Sequence, residues 1–339
     1  MNRTELETFV EHHKLPPAGV ELALELTRSR ASAFEMRAFA IRALRLAGVL
    51  SLAAGVIFFV AANWQELRVA GRFALLQILF LGGIAVAFWQ PPPLTPGRFG
   101  MLASFIMTGA LLALFGQTYQ TGADVYELFL TWTLLGAVFV IASRWSVVLA
   151  AWVFVLNVAL ALFCGFRPQV GVLWVLFGIW GLSDSQLLLL PTAVNLLLWL
   201  GCESGRHTPF AHLAPRWLRR FVLACALAFG TWAGGFAIFA DDSRGQASRD
   251  IEVVSLVLVA IALAAVASHT LRRRTDVFPL TAVAASVIVL GTCAIVRVND
   301  SGGVGMLFVM ALWLVIASTV AGRVLIGRVR EWRVGENAA

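Results

Sequence analysis

"VVLAAWVFVLNVALALF" (147–163) is a run of 17 residues with one polar side chain, Asn157. A helix rises about 1.5 Å per residue, so such a run covers most of a hydrocarbon core that is roughly 30 Å thick. Ten other stretches share this apolar character: roughly 46–62, 73–89, 101–115, 128–142, 170–182, 187–200, 221–240, 253–267, 278–296 and 306–326. The sequence therefore predicts an all-α, polytopic transmembrane helical bundle, because a transmembrane barrel would show alternating strands of about ten residues instead.

The composition agrees with a membrane protein and excludes an ordinary soluble domain. Of the 339 residues, 60% are hydrophobic and 13% are charged, and the mean hydropathy is +0.84. Soluble globular domains carry about 25% charged residues. The expected division is a cytoplasmic helical amino-terminal segment (1–40), a multi-span transmembrane domain (41–328) and a cytoplasmic carboxyl-terminal tail (329–339).

The positive charge of the chain is interpreted through the membrane. The net charge is +7, and every basic residue except Lys14 is an arginine. Basic loops are retained on the cytoplasmic side of bacterial membranes. A nucleic-acid partner is not expected, because no basic stripe is interleaved with aromatic residues. The lipid bilayer is the predicted partner.

The number of crossings depends on the two short apolar segments, 170–182 and 187–200. Runs of about 10–14 residues are more often re-entrant or interrupted pieces than full spans. If 170–200 crosses once as a broken helix, the bundle has ten spans and both termini are cytoplasmic. This arrangement leaves six basic residues outside: Arg68, Arg72, Arg167, Arg244, Arg249 and Arg297. Eleven spans would place more arginines outside, so ten spans are favoured.

The strongest polar feature is "FGQTYQTGADVYELF" (115–129), which contains both tyrosines of the chain. Its glycines favour a loop with interfacial aromatic anchors. On an unbroken helix its polar residues would instead share one face, and such a face can bind cations or relay protons. The candidate polar functional surface comprises Gln117, Tyr119, Gln120, Asp124, Tyr126 and Glu127.

A second candidate lies between the two short segments, at Ser183, Asp184 and Ser185. If one span is interrupted there, its freed backbone groups and the Asp184 carboxylate lie at membrane depth, as in many transporter sites. The alternative is a tight surface loop between two short helices. Elsewhere, Gly230-x3-Gly234 is typical of close helix packing, and Asn157 and Asn195 are typical of hydrogen bonds between helices.

Motifs for catalysis or for metal binding are missing from the sequence. HExxH, GxSxG and GxxxxGK[ST] do not occur, and the four cysteines form no CxxC or Cys/His spacing. We therefore expect no catalytic residues, no metal and no cofactor, and an enzyme is the least favoured class.

Three stretches resemble a family of predicted bacterial membrane proteins, domain of unknown function 2157. They are "GVIFFVAANWQELRVAGRFAL" (55–75), "GALLALFGQTYQTGADVYELFLTW" (109–132) and "PTAVNLLLWLGCE" (191–203). The resemblance extends through roughly residue 200. It implies a bacterial inner-membrane protein with a short cytoplasmic amino-terminal segment, and another membrane protein as partner. It implies no activity, so no catalytic residues are transferred.

Two functional hypotheses follow from these features. The first is a transporter- or channel-like protein that handles a small solute or ion. The second is a non-enzymatic membrane scaffold or sensor that acts through a membrane-protein partner, with residues 117–127 and the amino-terminal helices as contact surfaces.

Overall fold

The structure is a computed structural model, and its described residues are 12, 16, 19, 33–92, 94–120, 122, 124–165, 183–205, 211–240, 246–273, 276–298 and 304–337. Most of the predicted amino-terminal helical segment and the whole sixth apolar run, 170–182, lie outside these residues. The described part of the chain contains no strand, so the all-α prediction is confirmed.

Ten α-helices form this part of the chain: α1 (Ala33–Ala62), α2 (Val69–Trp89), α3 (Thr95–Tyr119), α4 (Val125–Ser143), α5 (Ser146–Gly165), α6 (Asp184–Ser204), α7 (Arg216–Ile238), α8 (Gln246–Arg273), α9 (Phe278–Val298) and α10 (Val304–Asn337). Each of the ten is long and apolar enough to cross a bilayer. The quoted run 147–163 lies wholly within α5. The predicted polytopic bundle is thus confirmed for the described residues.

The chain divides into two compact units, Met1–Leu111 and Leu112–Ala339. In the first unit, α2 and α3 approach closely at two glycines. A Cβ atom added at Gly83 would lie 2.6 Å from the carbonyl oxygen of Gly100. The Ser104 hydroxyl donates to the Phe80 carbonyl at 2.8 Å, so a hydrogen bond between the helices accompanies the close contact.

The "AANW" part of the first unit forms the turn between α1 and α2. The guanidinium of Arg72 lies 3.9 Å from the centre of the Trp64 ring. The same side chain donates to the carbonyls of Trp64 and Leu67, the latter at 3.0 Å. Arg72 therefore stabilises the turn by a cation–π contact and by donating to two of the carbonyls of the turn.

The core of the second unit lies among α5, α6, α7 and α8. Its buried members include Val153, Leu188, Trp199, Leu223 and Val259. An added methyl group at Gly230 would lie 3.2 Å from Thr192 of α6, and one at Gly234 would lie 2.7 Å from Leu290 of α9. The two glycines of Gly230-x3-Gly234 thus give α7 the predicted close packing, but they do so against two different helices and not against one partner.

The carboxyl end of α5 lies beside the amino end of α6. Phe163 and Leu187 pack in one small cluster with Tyr126 of α4. The Cys164 thiol reaches the Leu187 carbonyl at 3.5 Å. Helices α5 and α6 are therefore antiparallel, and the chain leaves α5 and enters α6 at the same end of the unit. We call this end, where α6 and α8 begin, the acidic end.

Candidate functional site

The stretch 117–127 forms a helix end, a loop and a helix start. Helix α3 ends at Tyr119, and the next residues turn through left-handed backbone at Gln120 (φ 45°) and Gly122 (φ 68°). Asp124 then has extended backbone as the residue that precedes α4. The predicted loop is present, and the break prevents the continuous polar face that an unbroken helix would make.

The six residues of the candidate polar surface fall into different environments. Four of them are exposed: Gln117, Tyr119, Gln120 and Asp124. Tyr126 is only 2% exposed, whereas Tyr119 is 60% exposed. The Tyr126 ring packs edge-on against Phe163 at 5.4 Å, and its hydroxyl donates to the half-buried Glu127 at 3.3 Å. The structure therefore does not assemble the six side chains into one surface.

Ser183 begins α6 with a complete capping box. Its hydroxyl accepts from the amide of Gln186, and the Gln186 side chain accepts from the amide of Ser183 at 3.1 Å. This reciprocal cap fixes the helix start, so polar residues 184–186 form the first turn of a helix of 21 residues. The seventh apolar run, expected at 14 residues, is therefore part of a full-length span.

Behind this cap lies a group of oxygen atoms that we call the hydroxyl–carboxylate cluster: Ser183, Ser185, Glu252 and Ser255. The Ser185 hydroxyl donates to the Glu252 carboxylate of α8. The Ser183 and Ser255 hydroxyl oxygens lie 2.8 and 3.1 Å from the Ser185 oxygen. Ser185 is 1% exposed and Ser255 is fully buried, whereas Ser183 and Glu252 are half-buried. The cluster therefore joins α6 to α8 at the end of the bundle.

The chemistry of the cluster suits a small hard cation or a proton. It offers one carboxylate and three hydroxyl oxygens, and such ligands favour hard cations. Among the described residues, no basic side chain forms an ion pair with Glu252. Glu252 is half-buried near the start of α8, directly before the apolar run 253–267 of a helix that can span. An ionisable group that faces the interior of a bundle is a functional candidate.

Two members of the candidate broken-helix site, Ser183 and Ser185, thus lie in this cluster, whereas Asp184 is exposed beside it. Sequence reasoning missed Glu252 and Ser255. Their spacing of three residues, at the start of an apolar run, could have indicated one polar helix face. Their contact with Ser185 could not be predicted from that spacing.

A buried amide pair joins α5 to α6 midway along the helices. The Asn157 amide donates to the Asn195 oxygen at 3.1 Å, and the Asn195 amide donates back at 2.8 Å. Each side chain also donates to the carbonyl four residues earlier in its own helix, at 2.8 and 2.9 Å. All four amide N–H groups are therefore used, which is what a structural pair requires.

Pro191 explains the contact made by Cys164. A proline has no backbone N–H, so the Leu187 carbonyl lacks the donor that a regular helix would supply four residues later. The Cys164 thiol occupies that position at 3.5 Å. This contact helps α6 to accept a buried proline without leaving a carbonyl unsatisfied.

A metal site built from histidine, cysteine or carboxylate ligands is not found in the described ranges, and the hydroxyl–carboxylate cluster contains only one such side chain, Glu252. No group of three or more His, Cys, Asp or Glu side chains among them could hold a metal ion. The four cysteines are free thiols.

Taken together, ten apolar helices with polar groups turned towards one another define a polytopic helical membrane protein. The family of predicted membrane proteins DUF2157 matches residues 7–149, so this part of the chain is similar to that family. The match confirms the resemblance carried by the stretches 55–75 and 109–132, and it ends before 191–203. No curated protein and no solved structure matches the chain.

Proposed function

We propose that this membrane protein is transporter- or channel-like and handles a small cation or a proton at the hydroxyl–carboxylate cluster. Glu252 supplies the negative charge, and Ser185 and Ser255 supply neutral oxygen ligands. The observation that carries the proposal is the hydrogen bond between Ser185 and Glu252, which holds a carboxylate against buried hydroxyls between two helices that can span a membrane.

The free-energy cost of burying the Glu252 carboxylate favours the binding of a cation or a proton to it. An acidic side chain at the centre of a spanning helix costs roughly 2.5–3.5 kcal/mol. Glu252 is half-buried near the start of α8, so its own cost is smaller than this figure. A hydroxyl donor offsets only part of this cost, because a neutral donor does not cancel the charge. A bound cation or a proton would cancel it, so the cluster is suited to binding and releasing one.

The surroundings of the cluster support an entrance at the same end. Asp124 precedes α4, whose Tyr126 packs against the end of α5 beside α6. Asp184 lies in the first turn of α6. Both carboxylates are exposed, so they would raise the local cation concentration at the mouth.

The proposed setting is the bacterial inner membrane with both termini cytoplasmic. The ten helices of the described part of the chain that can each span support ten crossings. With the arginine-rich loops inside, the acidic end faces the exterior. The hydroxyl–carboxylate cluster then lies towards the exterior.

The test is ion flux in proteoliposomes that contain the full chain. Glu252→Gln keeps the size of the side chain and removes its charge, so we expect flux of protons or alkali cations to fall at least about tenfold. Glu66→Gln is the matched control, because Glu66 is exposed in the turn after α1 and should leave flux unchanged. Equal flux in wild type and Glu252→Gln would refute the proposal.

The alternative is a scaffold or sensor that binds another membrane protein, and one observation favours it. At the end of α3, the rings of Phe115 and Tyr119 lie 4.8 Å apart and are both exposed. A photo-reactive residue at position 119 should then cross-link a discrete partner, whereas one at the buried position 126 should not. Equal labelling at both positions, or none at 119, would count against this alternative.

A further inference from the structure

A basic cleft lies at the opposite end of the second unit from the hydroxyl–carboxylate cluster. It forms where α6 and α8 end and where α7 and α9 begin; its cavity volume is about 20 Å³, and the cleft is partly open to solvent. Its charged lining consists of four arginines and two carboxylates: Arg216, Arg219, Arg220, Arg273, Glu203 and Asp276. The lining therefore has an excess of positive charge.

Both carboxylates of the cleft are already paired. Glu203 accepts from Arg219 at 3.0 Å, and these two side chains are largely buried. Asp276 receives a two-point contact from Arg220, with distances of 2.7 and 2.8 Å. Asp276 also accepts from the Phe278 amide at 3.1 Å, so it caps α9 as well.

Arg216 and Arg273 supply the excess charge. Neither makes an ion pair with a carboxylate within the described ranges, and both side chains are exposed at the rim. A guanidinium is a planar, permanently charged donor that matches the geometry of phosphate oxygens.

The helix ends strengthen this positive field. Three of the arginines lie in the first turns of α7, where the backbone N–H groups already give the helix a positive end. The amino end of α9 meets the same cleft through Pro279. Basic residues at helix starts are unfavourable without a counter-charge, and two converging amino ends form a suitable anion site.

One residue in the wall of the cleft, His269, has a buried polar atom without a hydrogen-bond partner in the described part of the chain. This atom is the Nε2 of His269. Its ring is held edge-on against Trp199 at a centroid distance of 5.2 Å, which fixes its orientation. A ligand oxygen in the cleft could complete the hydrogen bonding of this nitrogen.

We propose that this cleft binds a phosphate-type oxyanion, with Arg216 and Arg273 as its principal charged contacts. Two sources share this chemistry: a free phosphate group in solution and the headgroup of an anionic phospholipid. Both can reach a basic cleft at the ends of spanning helices. This site is separate from the hydroxyl–carboxylate cluster and does not depend on ion flux there.

The test uses the full chain in nanodiscs and measures the thermal unfolding midpoint. One arm adds inorganic phosphate to nanodiscs of neutral phosphatidylcholine, and the other replaces part of that lipid with phosphatidylglycerol in phosphate-free buffer. The variant Arg216→Gln/Arg273→Gln removes the two unpaired charges. The matched control is Arg272→Gln/Arg323→Gln, which removes two exposed arginines that do not line the cleft.

We expect the wild type and the control to be stabilised in at least one arm. Removing the two cleft arginines should weaken that binding by about tenfold or more, since the charge-assisted hydrogen bonds to the oxyanion would be lost. A shift only with phosphate identifies a free anion, and a shift only with phosphatidylglycerol identifies a headgroup. No shift of the wild type in either arm, or an equal loss in variant and control, would overturn the proposal.

Discussion

The two ends of the second unit carry opposite chemistry. At the acidic end, the hydroxyl–carboxylate cluster contains one carboxylate, three hydroxyls and no basic side chain among the described residues. At the other end, four arginines surround two carboxylates. The first site is buried between α6 and α8, and the second is open to solvent. The two proposals therefore assign different tasks to the two ends: cation handling at the first and anion binding at the second.

The acidic end should tolerate changes of volume poorly. Ser185→Leu would place a large side chain where only 1% of the serine is exposed, and it would remove the donor to Glu252. We expect a loss of about 3 kcal/mol in the free energy of unfolding. Ser204→Leu, at an exposed position of the same helix, is the control and should be nearly neutral. Similar losses for both variants would contradict tight packing around the cluster.

The amide pair of Asn157 and Asn195 lies between the two ends. We expect it to stabilise the contact between α5 and α6. Asn195→Leu leaves an oxygen and an N–H of Asn157 without partners, so we expect a loss of roughly 1–2 kcal/mol. Asn157→Leu/Asn195→Leu removes both amides and should cost less than the sum of the single changes. The measurement is a double-mutant cycle of unfolding free energies. Additive losses would show that the pair is not coupled.

The smallest effect on stability is expected at the basic cleft, where the lowered pKa of Asp276 makes the free energy of unfolding depend on pH. Burial raises this pKa, but the hydrogen bonds from Arg220 and Phe278 and the charges of Arg220 and Arg216 outweigh that effect and lower it below 3.8. A lowered folded-state pKa stabilises the fold above pH 3.8, and this contribution is lost as the pH falls through the lowered value.

Asp276→Asn should therefore reduce the dependence of stability on pH below 3.8, with little effect on the pH dependence above it. Unfolding midpoints of wild type and variant across that range provide the measurement. The same pH dependence in both proteins would mean that Asp276 makes no contribution. Because Arg220 is exposed, the difference should be small.

The positions of the helices could be predicted from apolar runs, because a spanning helix must satisfy its backbone internally and cover itself with apolar side chains. Their ends could not be predicted equally well. The capping box of Ser183 and Gln186 adds residues 184–186 to α6, although hydropathy alone begins that run at residue 187. Hydropathy does not detect a polar first turn of a helix, although the spacing of Ser183 and Gln186 matches a capping box.

The two tyrosines illustrate a second limit of sequence reasoning. A spacing of seven residues places Tyr119 and Tyr126 on one face only if the helix is continuous. The left-handed backbone at Gln120 and Gly122 ends that continuity, so one ring is exposed and the other is buried. The glycines indicated the loop, but the burial of Tyr126 depends on Phe163, which comes from another helix.

Of the hydroxyl–carboxylate cluster, the sequence indicated the two serines of α6 but not Glu252 and Ser255 of α8. Ser183 and Ser185 lie between two apolar runs, and this position indicates a candidate site. Glu252 follows the charged residues of a loop, so its sequence context does not distinguish it. The two parts are 67 residues apart in the chain and meet only because α6 and α8 pack side by side. Periodicity can assign a residue to a helix face, but it does not identify the helix against which that face packs.

The proposed binding of a cation or a proton by Glu252 can be tested directly by chemical modification. Dicyclohexylcarbodiimide, which modifies carboxyl groups in apolar surroundings, should be applied to proteoliposomes while flux and modification of Glu252 are followed together, the latter by mass spectrometry. We predict that flux falls in proportion to the modified fraction of Glu252, and that added cation slows the modification. Full modification of Glu252 with unchanged flux would contradict the claim.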